Sequence, residues 1–396
     1  VLPSILSRVI LAAALCIACG AIAQPAEISG DLPRHVLAPH ASYYEDPGLA
    51  LTIDDVSAPE FAANFRSNSA QELHFGLTRS AYWIRFDIDW RDNALALPWI
   101  LEIGPPKHVE GIARGGSDIF VFGANRELLH SERLGRYTTA EELKTLSGGY
   151  ALRLNPQTDR QIYLRIESAR DLRLPITLWQ DGAFREHETN VTVVFGIKYG
   201  ILLAMICYNF FLFLSIRERS YLYYVLAIAV QLVFLFLDSK HARFVNDSEW
   251  INPWFINIME RDIYILMGIT TLLFHRSLLQ VASYNAGLDR KIRWLTGLFA
   301  LSLPLSLLED EKIVQSAYLA LIIAAILLIF YTNFDAIRRG IATARVHLAA
   351  SSILLLGASV QMSYQVWRLV PGNWFTTQAY ELSMLAHVLL LSFGLA

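Results

Sequence analysis

From about residue 191 onward the sequence is a series of apolar runs, most of them near the length that a lipid bilayer demands. Runs of this kind fold into membrane-spanning helices, because hydrocarbon leaves no other way to satisfy an unbranched backbone segment. Seven such runs are expected to be spans: Val191 to Ile216, interrupted only by Lys198; Tyr221 to Leu237; Trp254 to Phe274, which contains Glu260, Arg261 and Asp262; Trp294 to Leu308, short and broken by Pro304; Ile313 to Phe334; Val346 to Trp367, with His347 at its start; and Phe375 to Ala396, which contains Glu381 and His387. The fourth must recruit flanking residues to reach across.

The rest of the chain differs. Overall, 54% of residues are hydrophobic and 17% charged, against about a quarter charged in soluble proteins. The excess lies in the second half, while residues up to about 190 read as an ordinary soluble domain. A net charge of -3 argues against nucleic acid as a partner. Residues 1–23 read as a signal peptide: Arg8 is the positive region, Val9 to Gly20 is an apolar core too short to span, and Ala21-Ile22-Ala23 is a cleavage site. An uncleaved anchor, or lipidation at Cys19, is the alternative. With that stretch removed only Cys207 remains, which excludes an intrachain disulfide; it reads as a small lipid- or helix-facing residue.

Residues 25–190 show period-two alternation. In Tyr82 to Trp90, one face carries Tyr82, Ile84, Phe86, Ile88 and Trp90, and the other Trp83, Arg85, Asp87 and Asp89. That is a half-buried strand. Further strands are expected at Trp99 to Ile103, Ile119 to Phe122, Tyr150 to Leu154, Ile162 to Ile166 and Pro175 to Trp179, with a short helix at Pro59 to Phe65. Short strands with Gly, Pro and Asn between them, and no βαβ rhythm, predict an antiparallel β-sandwich or jelly roll. Trp83, Trp99, Tyr163 and Trp179 are candidates for a stacking surface, although buried aromatics are more often core. Arg85, Arg153 and Arg165 are candidates for an anionic ligand, although solvated sheet-face arginines are commoner.

Loop charges orient the helices. With the β domain exported, the inner loops hold Arg217, Arg219, Arg276, Arg290, Lys291, Arg293, Arg338, Arg339 and Arg345, and the outer ones Lys240, Arg243, Arg261, Lys312 and Arg368. The bias predicts the N-terminal domain outside and the C-terminus inside. Trp250, Trp254, Trp294, Trp367 and Trp374 fall near span ends, where an aromatic belt sits. Glu260, Arg261, Asp262, Glu381 and His387 are costly in lipid and read together as a polar cavity opening outward. The blander readings are a charged helix start for the first three and an interhelical hydrogen bond for His387. Gly196 and Gly200 form a G-x-x-x-G, a frequent motif that permits close helix contact.

No zinc-protease, nucleophile-elbow, phosphate-loop, paired C-x-x-C or calcium-loop pattern occurs. The expectation is therefore no enzyme activity, no cofactor and no metal.

Four stretches carry a resemblance: Gly76-Leu77-Thr78-Arg79-Ser80-Ala81-Tyr82-Trp83-Ile84-Arg85-Phe86, Leu174-Pro175-Ile176-Thr177-Leu178-Trp179, Tyr208-Asn209-Phe210-Phe211-Leu212-Phe213, and Arg217-Glu218-Arg219-Ser220-Tyr221-Leu222-Tyr223-Tyr224. With the order of parts, they resemble the bacterial seven-transmembrane receptors with diverse intracellular signalling modules. The resemblance implies a periplasmic jelly roll similar to carbohydrate-binding modules, followed by seven helices in the inner membrane. It also implies a small-molecule or carbohydrate ligand, a cytoplasmic signalling partner and, by family analogy, a homodimer. Tyr208, Asn209, Arg217, Arg219, Tyr221 and Tyr224 become signalling candidates. The family continues into a coiled linker and an output module such as a histidine kinase or diguanylate cyclase. The ends at Val1 and Ala396 lead us to expect a fragment. The competing class is a solute transporter or channel, motivated by the intramembrane charges.

Overall fold

The computed structural model describes residues 24–78, 80–104, 117–134, 150–167, 171–238, 253–307, 311–365 and 369–394. The expected signal peptide lies outside the described residues. The chain divides into two compact units, Val1–Thr192 and Val193–Ala396.

The first unit is built on strands. In chain order these are β1 (Ala26–Ile28), β2 (Arg34–Val36), β3 (Ser42–Asp46), β4 (Arg66–Ser67), β5 (Leu73–Leu77), β6 (Ala81–Trp90), β7 (Trp99–Ile103), β8 (Ser117–Phe122), β9 (Leu128–Leu134), β10 (Tyr150–Leu154), β11 (Gln161–Glu167), β12 (Asp171–Leu174) and β13 (Ile176–Gln180). The larger sheet runs β4-β3-β6-β11-β8-β9, and the smaller one β10-β7-β13-β2. β12 and β5 form a separate pair. The pairing is antiparallel except for β1, which lies parallel to the far end of β6, with Ala26 opposite Ile88. The two sheets share one core. Ile84 and Phe86 of β6, Ile162 and Leu164 of β11 and Ile119 of β8 meet Trp99, Leu101 and Ile103 of β7 and Ile176 and Leu178 of β13. Alternation in each strand sends these residues inward.

Between β3 and β4 the chain turns into α1 (Ile53–Ser57) and a 3-10 segment, Pro59–Asn64. Thr52 starts α1: its side chain accepts from the Asp55 N–H while the Asp55 carboxylate accepts from the Thr52 N–H. Two amide donors that the helix leaves orphaned are thereby satisfied. Pro59 then starts the 3-10 segment.

The second unit is helical. α2 (Asp181–Ile216) begins in the first unit; α3 (Arg219–Asp238), α4 (Pro253–Leu278), a short α5 (Val281–Tyr284), α6 (Ala286–Ser302), α7 (Glu311–Arg338), α8 (Thr343–Gln365) and α9 (Trp374–Gly394) follow. The described parts of the seven apolar runs overlap α2, α3, α4, α6, α7, α8 and α9 in turn. Among the described residues, four helical stretches are long and apolar enough to cross a membrane: Asp181–Ile216, Arg219–Leu237, Ser316–Arg338 and Thr343–Tyr364. The run holding Pro304 is interrupted as expected, since α6 gives way to a 3-10 turn, Leu303–Leu307. Large apolar side chains such as Phe211, Leu301, Leu327 and Leu356 point outward, as lipid contact allows.

Two connections are tight. α2 and α3 are joined by Arg217 and Glu218 alone, and Arg217 takes a left-handed φ of 59° while its N–H donates to the Phe213 carbonyl (2.7 Å). After α7, Gly340 at φ 82° lets the Ile341 N–H return to the Ala336 carbonyl (3.1 Å), which closes the helix end. A β-carbon at Gly196 or Gly200 would meet nothing, so the G-x-x-x-G motif marks no close helix contact among the described residues.

Candidate functional site

Because β6 alternates, its second face carries Trp83, Arg85 and Asp87 away from the core. Cross-strand register extends that face into rows. Tyr44, Trp83, Arg165 and Asp118 form one row, and Ser42, Arg85, Tyr163 and Phe120 the next. The face is not the open polar surface that alternation predicts. Trp83 and Tyr163 are 1% and 2% exposed, packed with Val56 of α1 and with Tyr44, Phe61 and Phe65. The capped helical segment between β3 and β4 thus covers part of the sheet.

Charge remains within this covered face. Arg85 pairs with Asp87 (2.9 Å) and Arg165 with Glu167 (2.5 Å), all four side chains mostly buried. The Arg165 guanidinium lies 5.9 Å from the centre of the Trp83 ring, within cation–π range. Burial raises the Tyr163 phenol above its ordinary 10.0, with the Arg85 guanidinium opposing. Three buried polar atoms on this face, Trp83 Nε1, Arg85 Nε and Ser67 Oγ, have no hydrogen-bond partner among the described residues. Buried polar groups are nearly always bonded to protein, water or ligand, so this face is a candidate ligand site.

The remaining ligand candidates lie elsewhere. Trp99 is in the sandwich core, fully buried, with Nε1 donating to the Ala94 carbonyl (3.1 Å). Trp179 projects from the outer face of the smaller sheet, where Nε1 donates to Glu102 (2.9 Å). Arg153 is exposed and pairs with Asp181 (3.2 Å). The four aromatics therefore occupy three surfaces and do not form one stacking platform.

In the helical unit the interior is polar along much of its depth. Lys198 of α2 pairs with Glu381 of α9 and also reaches Gln378. Asn209 donates to Ser392 (3.0 Å), Ser392 to the Tyr224 hydroxyl (3.3 Å), and Tyr224 to the Val388 carbonyl (2.7 Å). His275 bonds Thr332, and His347 contacts Asn333 (3.1 Å) with its ring centre 4.8 Å from that of His275. His387 is buried, with Nδ1 unpartnered among the described residues. Asp262 accepts from Ser306 and Tyr318, both at 3.2 Å, a different set of partners from those of Glu381. The side chains of Glu260 and Arg261 lie outside the described residues. The Tyr208 and Phe393 rings lie 6.3 Å apart, tilted by 42°; Tyr221 is buried, Arg217 is exposed in the turn and Arg219 is exposed at the start of α3.

Sequence reasoning noted Lys198 and Glu381 but did not join them. The signal was available: two lone opposite charges in two otherwise apolar runs are best satisfied by each other. His275, Thr332 and Asn333 were missed because each is a common helical residue with no spacing that marks it.

Two family descriptions match the chain: "7TM diverse intracellular signalling" over residues 192–396 and "7TMR-DISM extracellular 2" over residues 38–180. Comparison with curated proteins gives no match.

Proposed function

Since the chain belongs to the 7TM diverse intracellular signalling family, whose members are membrane receptors for signalling, we propose that its β unit senses a small extracytoplasmic ligand, carbohydrate being the leading class, and that its helices relay occupancy to a cytoplasmic module. In this reading the β unit is a periplasmic jelly roll, the helices cross the bacterial inner membrane seven times with the C-terminus inside, and receptors act as homodimers. The observation that carries it is the covered face of the larger sheet, where Trp83 Nε1, Arg85 Nε and Ser67 Oγ are buried without hydrogen-bond partners among the described residues, in the same cross-strand rows as Tyr163 and Arg165. A hydroxylated ligand supplies acceptors to such donors and a ring face to the aromatics. To signal, it must bind two receptor states unequally.

Calorimetric titration of the full chain in nanodiscs against neutral and acidic monosaccharides tests this. The expected result is one saturable ligand whose affinity falls at least about tenfold in Arg85→Ala, one charge-assisted contact being worth that much or more. Absence of binding across the panel sinks the carbohydrate assignment. The buried Lys198–Glu381 pair favours a second reading, solute transport; proteoliposome flux that disappears in Glu381→Gln would establish it.

A further inference from the structure

The outer face of the smaller sheet carries a second constellation, independent of the ligand face. Glu102 sits in the middle of β7, between β10 and β13. The first turns of α2 bring His187 and Glu188 over it. One donor atom from each of the three lies within 4.8 Å of the others. We propose that Glu102, His187 and Glu188 bind a divalent transition cation of the Zn2+ class.

Glu102 is 6% exposed, and its two oxygens have different surroundings. Oε2 accepts from Trp179 Nε1 at 2.9 Å. Oε1 faces His187 Nε2 at 4.0 Å, too far for a hydrogen bond. Two ligands of one zinc ion, each about 2.1 Å from it, stand roughly 3.4 Å apart at the tetrahedral angle. The gap therefore matches a shared cation after a small contraction. The Trp179 ring also stacks on the His187 imidazole, with centres 4.8 Å apart and planes 19° from parallel. One residue thus orients both a carboxylate and an imidazole, the service that outer-shell partners give to metal ligands.

The donor set selects the metal class. Two carboxylates alone would suit Ca2+ or Mg2+, but an imidazole favours Zn2+ and its neighbours. Three protein ligands leave a position for water or a further group. A bound ion would fasten the start of α2 to β7, giving the strand and the helix a common anchor that neither sequence stretch announces: Glu102 is 85 positions from His187 along the chain.

The test uses tag-free full chain in nanodiscs, stripped of metal with chelator and then titrated with Zn2+ by calorimetry and with Co2+ by visible absorption. One ion per chain is expected, with cobalt d–d bands, and millimolar Mg2+ should not displace it. His187→Asn and Glu188→Gln should each weaken binding by about tenfold or more, and Trp179→Phe, which keeps the stacking ring but loses the donor to Glu102, by about tenfold. Near-UV circular dichroism checks that each variant is folded, and either ligand variant suffices if the other is not. No saturable uptake of Zn2+, or uptake unchanged in a folded ligand variant, overturns the assignment.

Discussion

Lys198 on α2 and Glu381 on α9 form an ion pair with side-chain exposures of 3% and 2%. Burying two charges costs several kcal/mol each, and only the pairing offsets it. Lys198→Met or Glu381→Leu alone should therefore destabilise the helical unit by about 3–5 kcal/mol. The double variant Lys198→Met/Glu381→Leu should recover most of that loss. A thermal-unfolding double-mutant cycle in nanodiscs measures the coupling, and additive losses would show that the two charges act independently.

Helices α8 and α9 approach closely at Gly357, where a methyl group would overlap the Ser383 side chain and the Ala379 carbonyl. A backbone atom cannot step aside as a flexible side chain can. Gly357→Ala should cost about 1–3 kcal/mol, the usual range for overpacking, whereas Gly200→Ala meets nothing and should be neutral or stabilising. Equal melting temperatures for the two variants would contradict the close approach.

Tyr163 provides a pH signature for the covered sheet face. Its phenol is raised above 10.0, first by burial. The unfolded chain releases this proton before the folded one does. The contribution to stability is therefore complete below pH 10 and is lost as pH rises through the folded value. Tryptophan-fluorescence unfolding from pH 9 to 11 should show an alkaline decline that is smaller in Tyr163→Phe. An identical decline in both proteins would mean that the phenol is not the group responsible.

At the other end of the scale, the Asp55 carboxyl is held below its ordinary 3.8 by the Thr52 N–H and then the Thr52 hydroxyl. The cap is therefore in force above about pH 3.8 and is lost as pH falls through the folded value. Amide protection of residues 53–57, corrected for intrinsic exchange, should fall in that window. Thr52→Ala should show the reduced protection already at neutral pH, with β6 unaffected. Unchanged protection in Thr52→Ala would remove the capping box from the account.

Much of this architecture was legible because it is periodic. The alternation in Tyr82 to Trp90 marks β6, and apolar length marks the helices. β1, β2 and β4 span only two or three residues, too few for any period to register. The cover over the second face was not legible for a different reason. Alternation says that Trp83 and Arg85 point away from the core, which they do, but it cannot say that residues 53–64 return to cover them. Glu102 was invisible as a ligand because its partners are distant in sequence, and only sheet register brings β7 beneath α2.

The two-residue link at Arg217 and Glu218 has a mechanical consequence. Ile216 and Arg219 are three Cα steps apart, so even a fully extended link holds them within about 10 Å, about two turns of helix. An axial slip of α2 much beyond that length must tow the start of α3 with it, so that tether length alone couples the two helices.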